Sequence, residues 1–176
     1  YLLQAVESVT TQTYDNIEII IVNDESEDPR YKTHTFPKNC KVIHVNREKI
    51  EGGPGSIRNY GTKEATGKYI AFLDDDDIWL TNKLEIQIQE MQNNEFQFSS
   101  TEGYFGEGRY DKNSSYLLYN GEKFYKKINK KFKGTNYYKN LYPNFWNLDF
   151  LKIHNCIVTS SVVIEKKLFD SFGGFR

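Results

Sequence analysis

The first 94 residues alternate between two patterns of apolar positions. Apolar residues recur at helical spacing over the first 12 residues, which predicts an amphipathic helix. Three apolar runs predict strands, at 17–23, 41–45 and 68–73. The first of these runs is continuous and β-branched, as in a strand that is buried on both faces. A second helix is predicted to start near Pro54 and to stop at Gly67.

The third predicted strand leads into another helix. Thr81 is expected to cap this helix. Its apolar side carries Leu84, Ile88 and Met91. The order helix, strand, strand, helix, strand, helix predicts an α/β fold with an open, mostly parallel sheet and helices on both faces.

The second half of the chain is less regular. Residues 95–150 are rich in Tyr, Asn and Lys, and we expect short elements joined by loops there. A last strand is predicted at 156–164, followed by a helix that Gly173 and Gly174 close.

The two ends of the chain suggest a piece of a longer protein. The strand at 17–23 needs a buried neighbour on each side, so we expect a further strand before Tyr1. The chain also stops at Arg176, directly after a helix cap. We therefore expect one domain, 1–176, that is truncated at both ends.

Composition excludes few functions, but it limits the expected partners and the expected location of the protein in the cell. A net charge of −1 over 176 residues gives no global attraction to nucleic acid, which we do not expect as a partner. Cys40 and Cys156 have no metal-type spacing and are interpreted as reduced thiols, with a single disulfide as the alternative. No apolar stretch is long enough to span a bilayer. We expect a cytoplasmic protein, at most at the inner face of a membrane.

Carboxylates follow two of the predicted strands. Asp24 follows the first strand, and four consecutive aspartates, Asp74 to Asp77, follow the third. In parallel α/β sheets, ligands bind outside the carboxyl ends of the strands. A divalent cation would offset the repulsion among these carboxylates, and hard oxygen ligands suit Mg²⁺ or Mn²⁺. A metal held by one or two carboxylates usually completes its shell with phosphate oxygens, which predicts a phosphate-bearing substrate such as a nucleotide derivative.

Three other interpretations of the acidic run stay open. It could be a solvated turn in which Asp77 favours the following helix N-terminus. A calcium loop counted from Asp74 has Glu85 at its twelfth position but Trp79 where the sharp turn needs Gly. A Mg²⁺-dependent phosphohydrolase with an aspartyl nucleophile would use Asp74 and Asp76, but it would want Thr or Val at Ile78.

Four segments of the chain carry a family resemblance. They are "AVESVTTQTYDNIEIIIVNDESED", "GGPGSIRNYGTKEATGKYIAFLDDDDIW", "NKLEIQIQEM" and "VTSSVVIEKKLFDSFGGFR". Together and in this order they resemble family 2 glycosyltransferases, which have the GT-A nucleotide-sugar fold. The resemblance implies a metal-dependent, inverting transfer of a sugar from a nucleotide-diphosphate donor, most simply a UDP-sugar, to an acceptor hydroxyl. It further implies a glycan or lipid-linked acceptor, in bacterial-type surface glycan, lipopolysaccharide or capsule synthesis. Residues 1–94 would be the nucleotide-binding half and 95–176 the acceptor-side half.

The resemblance also assigns roles to single residues. Asp24 would bind the base, Asp74 and Asp75 would lie near the ribose and diphosphate, and Asp76 with Asp74 would hold Mn²⁺ or Mg²⁺. Arg58 and Asn59 occupy the family's Arg-Asn position beside the nucleotide, with helix packing and capping as the alternative role.

Two features depart from the family pattern. Glu25, which belongs to the expected nucleotide site, stands where the family often has Gly, so we expect a more ordinary backbone there. The family's acidic general base is expected beyond Arg176, so no catalytic base is assigned and the chain alone could be inactive. A nucleotide-sugar-binding module without turnover is the non-enzyme alternative.

Residues 122–139 carry a dense run of lysines with a single acid. Phe124, Ile128 and Phe132 fall four apart, so a helix there would be apolar on one stripe and basic elsewhere. Such a helix can lie on an anionic membrane surface. The alternative is a solvated helix that these three residues pack onto the domain. Trp146 could stack on a sugar or belong to the core.

Overall fold

The computed structural model describes residues 1–50, 52–119, 121–139 and 147–176. The helices are α1 (Leu2–Thr10), α2 (Arg30–Thr33), α3 (Pro54–Glu64), α4 (Lys83–Asn93), α5 (Gly121–Ile128), α6 (Leu148–Ile153) and α7 (Lys166–Ser171). The strands are β1 (Ile19–Asn23), β2 (Cys40–His44), β3 (Tyr69–Ala71), β4 (Phe98–Ser99), β5 (Gly103–Phe105), β6 (Leu117–Tyr119) and β7 (Val163–Glu165). Short 3₁₀ helices lie at Arg47–Lys49, Asn129–Phe132 and Thr159–Ser161. The predicted α/β class is confirmed.

The strands pair in both directions. β1 and β2 are parallel, with Ile19 opposite Cys40. β7 lies between β3 and β4 and is antiparallel to both, while β5 and β6 form an antiparallel hairpin. Parallel strands are therefore present as predicted, and the described strands also include three antiparallel pairs. Because β3 and β7 pair, the predicted halves 1–94 and 95–176 share one sheet.

Helices cover both faces of β1. Ile19 and Ile21 are buried in a core with residues of α1 and α4, among them Val6, Val9 and Leu84. On the opposite face, α3 approaches β1 so closely that a Cβ on Gly61 would lie 2.8 Å from Val22 Cγ2. A glycine is therefore required where α3 crosses the strand.

Two predicted boundaries were wrong. The last strand was expected from residue 156, but a 3₁₀ turn occupies Thr159–Ser161 and β7 starts only at Val163. The turn is fixed because the Ser161 hydroxyl donates to the Val158 carbonyl oxygen at 2.7 Å. Thr81 does not cap α4, whose N-cap position is taken by Asn82.

A second core lies in the Tyr- and Lys-rich half. It consists of Tyr125, Ile128, Phe132, Phe150 and Cys156. Phe132 and Phe150 are fully buried and stack with ring centroids 4.9 Å apart. Ile128 and Phe132 pack inward, as in the alternative of a helix packed onto the domain, so these two residues of the apolar stripe do not face a membrane. The side chain of Phe124 and the whole of Trp146 lie outside the described residues.

The remaining composition-based predictions can be placed on this fold. Both thiols are free, with Cys40 partly buried and Cys156 buried, so the alternative of a disulfide between them was wrong. Among the described residues, no helix combines the length and apolar character that a membrane crossing requires.

Candidate functional site

Two strand ends meet at one cavity of about 1220 Å³. Asp24 directly follows β1, and the acidic run follows β3 after Phe72 and Leu73. The predicted site residues that border the cavity are Asp24, Arg58, Asp74, Asp75 and Asp76. Glu25 and Asn59, which were also predicted for the site, do not line it. The carboxyl ends of β1 and β3 therefore bring most of the predicted residues together.

Asp24 is paired with an arginine that the sequence did not single out. Arg47 donates from Nε to Asp24 Oδ1 and from Nη2 to Asp24 Oδ2, each at 2.5 Å. Its third nitrogen, Nη1, donates to the Gly52 carbonyl oxygen at 2.7 Å. The carboxylate raises the pKa of Arg47 above its ordinary value through this hydrogen-bonded pair. One feature of the sequence could have indicated Arg47 as a site residue. It lies three residues after β2 and hence at the same sheet edge as Asp24.

Glu25 adopts an unusual backbone conformation. Its φ of 56° lies in the left-handed region, so the expectation of a more ordinary backbone was wrong. The turn is held because the Ser26 N–H donates to Asn23 Oδ1 at 2.8 Å. The Glu25 carboxylate also accepts the Arg47 backbone N–H at 2.8 Å. These bonds offset the cost of about 1–2 kcal/mol that a side chain has in this conformation.

Arg58 connects α3 to the acidic run. Its Nη2 donates to Asp74 Oδ1 at 2.5 Å, and its guanidinium lies 5.7 Å from the centroid of the Phe175 ring. The Asp77 N–H donates to the Asp74 carbonyl oxygen at 3.1 Å, which closes a tight turn. Asp75 and Asp76 are exposed on this turn. Their carboxylates are therefore accessible to a ligand in the cavity.

The carboxylates of the acidic run can hold a metal ion only if a bound molecule, such as one that carries phosphate, supplies further oxygen ligands. Among the described residues, no group of three or more His, Cys, Asp or Glu side chains could hold an ion. One or two carboxylates plus phosphate oxygens are the usual environment of Mg²⁺, and Asp74 and Asp76 can supply that share. A calcium loop fits worse, because the Glu85 carboxylate accepts the Thr13 hydroxyl at 2.7 Å and α4 already begins at Lys83.

Asn59 fastens the turn at 173–175 to α3. Its Nδ2 donates to the Phe175 carbonyl oxygen, and its Oδ1 accepts the Phe175 N–H, both at 2.8 Å. A Cβ on Gly174, whose φ is 81°, would lie 2.4 Å from the same Oδ1. The Asn59 amide is thus used to hold the Gly-Gly-Phe turn, and its contact with a nucleotide stays a prediction.

Comparison with known proteins identifies the family. The family model for glycosyl transferase family 2 matches residues 1–166. The chain belongs to glycosyltransferase family 2. The family has the GT-A fold, which agrees with the parallel strands and flanking helices described above. Membership also favours a transferase over the phosphohydrolase alternative.

Several relatives are similar to this family 2 chain over part of their length. An uncharacterized glycosyltransferase, RT0329 of Rickettsia typhi, is 32% identical over 97% of this chain and 49% of its own length. The UDP-Glc:alpha-D-GlcNAc-diphosphoundecaprenol beta-1,3-glucosyltransferase WfaP of Escherichia coli is 41% identical over 56% of this chain and 39% of its own length. The minor teichoic acid biosynthesis protein GgaB of Bacillus subtilis is 36% identical over 62% of this chain and 13% of its own length. The chain spans about half or less of the length of these proteins.

Beside the acidic run, this glycosyltransferase domain buries a lysine amine that the sequence did not reveal. Lys83 Nζ is inaccessible and has no hydrogen-bond partner among the described residues. It lies 4.3 Å from the centroid of the Trp79 ring, whose Nε1 donates to the Ser160 carbonyl oxygen at 2.7 Å. Burial lowers the pKa of the amine to about 7. The ring face supplies the attraction that a hydrogen bond would otherwise give.

We expect Lys83→Met to flatten the dependence of stability on pH. In the unfolded chain Lys83 returns to its ordinary pKa of 10.5, so between pH 7 and 10.5 the unfolded state binds more protons. The free energy of unfolding of the wild type should therefore rise with pH in that window, and the rise should be smaller in the variant. Urea titrations at several pH values measure this, with the exposed Lys63→Met as control. An equal slope in the wild type and Lys83→Met would contradict the prediction.

Proposed function

We propose that the domain binds a nucleoside-diphosphate sugar at the cavity and transfers the sugar, with inversion, to an acceptor hydroxyl. The observation that carries the proposal is the meeting of Asp24, Arg58 and the acidic run at one cavity in a family 2 chain. UDP is the nucleotide that we expect, because the similar Escherichia coli protein is named for a UDP-sugar donor. Donor binding to this chain is the first test.

Each group at the sheet edge has a role in this proposal. Asp24 accepts hydrogen bonds from the base, and Arg47 holds the Asp24 carboxylate in one orientation. Asp75 and Asp74 lie beside the ribose and diphosphate. Arg58 neutralises Asp74 and contributes positive charge near the phosphates.

The proposed metal site consists of Asp76 and Asp74. A bound Mn²⁺ or Mg²⁺ would stabilise the negative charge that develops on the departing diphosphate. Arg58 and Asp74 form an ion pair in the ligand-free chain, so the two Asp74 oxygens divide between the guanidinium and the proposed ion. The attacking hydroxyl requires a general base, and no residue of this chain is assigned that role.

Asp24→Ala should weaken binding of UDP at a fixed Mn²⁺ concentration without changing the affinity for Mn²⁺ in the presence of saturating nucleotide. Loss of hydrogen bonds to a charged group costs about 1.5–3 kcal/mol, which is about 10- to 150-fold in affinity. Titration calorimetry measures both quantities, with Asp28→Ala as a control outside the cavity. A change confined to the metal affinity would contradict the role proposed for Asp24.

The acceptor is proposed to be a glycan or a lipid-linked glycan. This follows from the names of the relatives, one of which acts on a diphosphoundecaprenol-linked sugar while another belongs to teichoic acid synthesis. The described lysine side chains of this region are exposed, as contact with an anionic membrane surface would require; they are Lys126 and Lys127 of α5 and Lys130 and Lys131 of the following 3₁₀ helix. A basic surface of this kind is attracted to anionic lipid by about 1 kcal/mol per lysine.

Vesicles that contain anionic phosphatidylglycerol should retain the wild type at least about tenfold better than a variant with four neutralised lysines. The neutralised residues are Lys126, Lys127, Lys130 and Lys131, each replaced by Gln. A control variant with the same loss of charge replaces Lys32, Lys38, Lys63 and Lys167, all exposed elsewhere. Sedimentation with the vesicles measures the bound fraction. Equal retention of the three proteins would contradict the membrane contact and support a solvated helix.

The remaining alternative is a nucleotide-sugar-binding module that does not turn the donor over. An assay of UDP release from a UDP-sugar, made on a longer form of the protein, distinguishes these two functions. The proposed enzyme releases UDP when an acceptor is added. Binding of the UDP-sugar without release of UDP would support the binding module instead.

A further inference from the structure

Five buried polar side chains bond to the backbone of two segments, the connection from β3 to α4 and the 3₁₀ turn before β7. Each is at most 7% exposed; they are Ser8, Gln12, Gln87, Ser160 and Ser161. A buried polar group costs free energy unless it is hydrogen-bonded, and apolar residues would fill such positions without that requirement. Fully bonded buried polar groups make a structure rigid. These residues therefore indicate that the two segments are held in one defined arrangement.

The start of the acidic run is held by Ser160. The Asp74 N–H donates to Ser160 Oγ at 3.0 Å. The carboxylate of the same aspartate accepts from Arg58 Nη2 at 2.5 Å. The bond to Ser160 fixes the backbone of Asp74, and hence the direction in which its side chain points. Ser160 is not among the residues that line the cavity, so this bond can influence a ligand there only through Asp74.

Ser160 is held in turn by the indole of Trp79. Trp79 Nε1 donates to the Ser160 carbonyl oxygen at 2.7 Å, and the Lys83 amine packs on the Trp79 ring. The next carbonyl oxygen of the turn, that of Ser161, accepts from Gln87 Nε2 at 3.1 Å. Two successive carbonyl oxygens are thus bonded to side chains of α4 and of the connection that precedes it. The turn cannot move relative to α4 without breaking both bonds.

The segment that follows the acidic run is held by α1. The Trp79 N–H donates to Ser8 Oγ at 3.2 Å. The Gln12 side chain donates to the Leu80 carbonyl oxygen at 2.7 Å and accepts the Leu84 N–H at 3.0 Å. Ser8 and Gln12 are four residues apart, so they bond from the same face of the chain at the end of α1. The acidic run is therefore fixed on both sides by buried polar side chains.

We propose that Ser160 is a positioning residue that holds the Asp74 carboxylate in place for the donor diphosphate and its metal ion, with Trp79 as the support of Ser160. This inference rests on the proposed function, because it concerns the ligand of the same cavity. A group that is already ordered before binding avoids part of the cost of ordering it on binding. Residues that orient a metal ligand typically change metal affinity by about 10–100-fold, and Ser160 has that place behind Asp74.

Ser160→Ala tests the hydroxyl, and Ser161→Ala is its matched control. The two serines belong to the same turn and are almost equally buried, but the Ser161 hydroxyl bonds to the Val158 carbonyl oxygen. Ser160→Ala should weaken the Mn²⁺-dependent part of UDP binding at least about tenfold, whereas Ser161→Ala should leave it unchanged. Titration calorimetry with and without Mn²⁺ isolates this part. A mere loss of folded protein would reduce the amount of binding in both conditions alike.

Trp79→Phe tests the support. This substitution keeps an aromatic ring beside the Lys83 amine and removes the N–H that bonds to the Ser160 carbonyl oxygen. If Trp79 acts through Ser160, the double variant should bind UDP with Mn²⁺ as weakly as Ser160→Ala alone, because both changes interrupt one chain of contacts. Additive losses in the double variant would show that Trp79 acts independently and would overturn its supporting role.

A measurement without ligand distinguishes this inference from the proposed function. Pairing with Asp74 slows the rotation of the Arg58 guanidinium, which NMR detects in the free protein. The slow rotation should persist in Ser161→Ala and be lost in Ser160→Ala. If the wild type binds no UDP but the two variants differ in this way, the proposed function is contradicted and the positioning of Asp74 stands.

The remaining outcomes overturn the role of Ser160. Equal behaviour of Ser160→Ala and Ser161→Ala in the NMR measurement would show that the Ser160 hydroxyl does not position Asp74. A wild type that binds UDP with Mn²⁺ no better than Ser160→Ala does would show that the position of Asp74 is unimportant for the ligand.

Discussion

Asp76→Asn should abolish the Mn²⁺-dependent part of UDP binding. The substitution keeps the size and shape of the side chain but removes the negative charge of an exposed carboxylate at the cavity. Loss of a residue that only supports a metal ligand costs about 10–100-fold, so loss of a ligand should weaken metal-dependent binding at least about tenfold. Titration calorimetry with UDP, with and without Mn²⁺, measures the effect.

The neighbouring Asp77 provides a matched control. Asp77 belongs to the same turn but does not line the cavity, so Asp77→Asn should bind UDP and Mn²⁺ as the wild type does. If both variants retain metal-dependent binding, Asp76 holds no metal. The acidic run is then a solvated turn in the connection from β3 to α4, and a solvated turn was one of the alternatives raised by the sequence.

Phe132→Ala should be the most destabilising single substitution proposed for this chain. The ring is fully buried and contacts three aromatic rings, those of Tyr125, Tyr137 and Phe150. Removal of a buried Phe side chain leaves a cavity and costs about 3–5 kcal/mol. Denaturant titration measures the free energy of unfolding and should show this loss.

Phe172→Ala is the control for the same chemical change at the surface. Phe172 is 61% exposed, and its substitution should change the free energy of unfolding by less than about 0.5 kcal/mol. A loss below about 1 kcal/mol for Phe132→Ala would show that the second core contributes little to folding. Since Phe132 does not line the cavity, nucleotide affinity of the remaining folded protein should be unchanged.

The sequence predicted those parts of the fold that depend on local patterns. The β-branched run of β1 is typical of a strand that is buried on both faces, and the start of α3 at Pro54 agrees with the preference of proline, with its fixed φ, for the first position of a helix. The start of β7 could not be predicted from a local pattern of residues. An apolar run does not reveal that Thr159–Ser161 form a 3₁₀ turn. The Ser161 hydroxyl closes this turn locally on Val158, and the distant Asp74 N–H and Gln87 amide donate to Ser160 Oγ and to the Ser161 carbonyl oxygen.

The acidic residues of the candidate site could be predicted from the sequence, but Arg47 could not. Asp24 and the acidic run stand out because they directly follow strands, and the sheet edge brings them together. Arg47 is separated from Asp24 by α2 and β2, so their pairing depends on the register of two strands. The left-handed backbone of Glu25 likewise depends on its contact with Arg47, which no local pattern records.

α3 attaches two separate segments through neighbouring side chains. One turn of this helix carries both Arg58, which is paired with the acidic run, and Asn59, which holds the backbone of Phe175. A substitution that displaces this turn of α3 would therefore disturb the acidic run and the turn at 173–175 together.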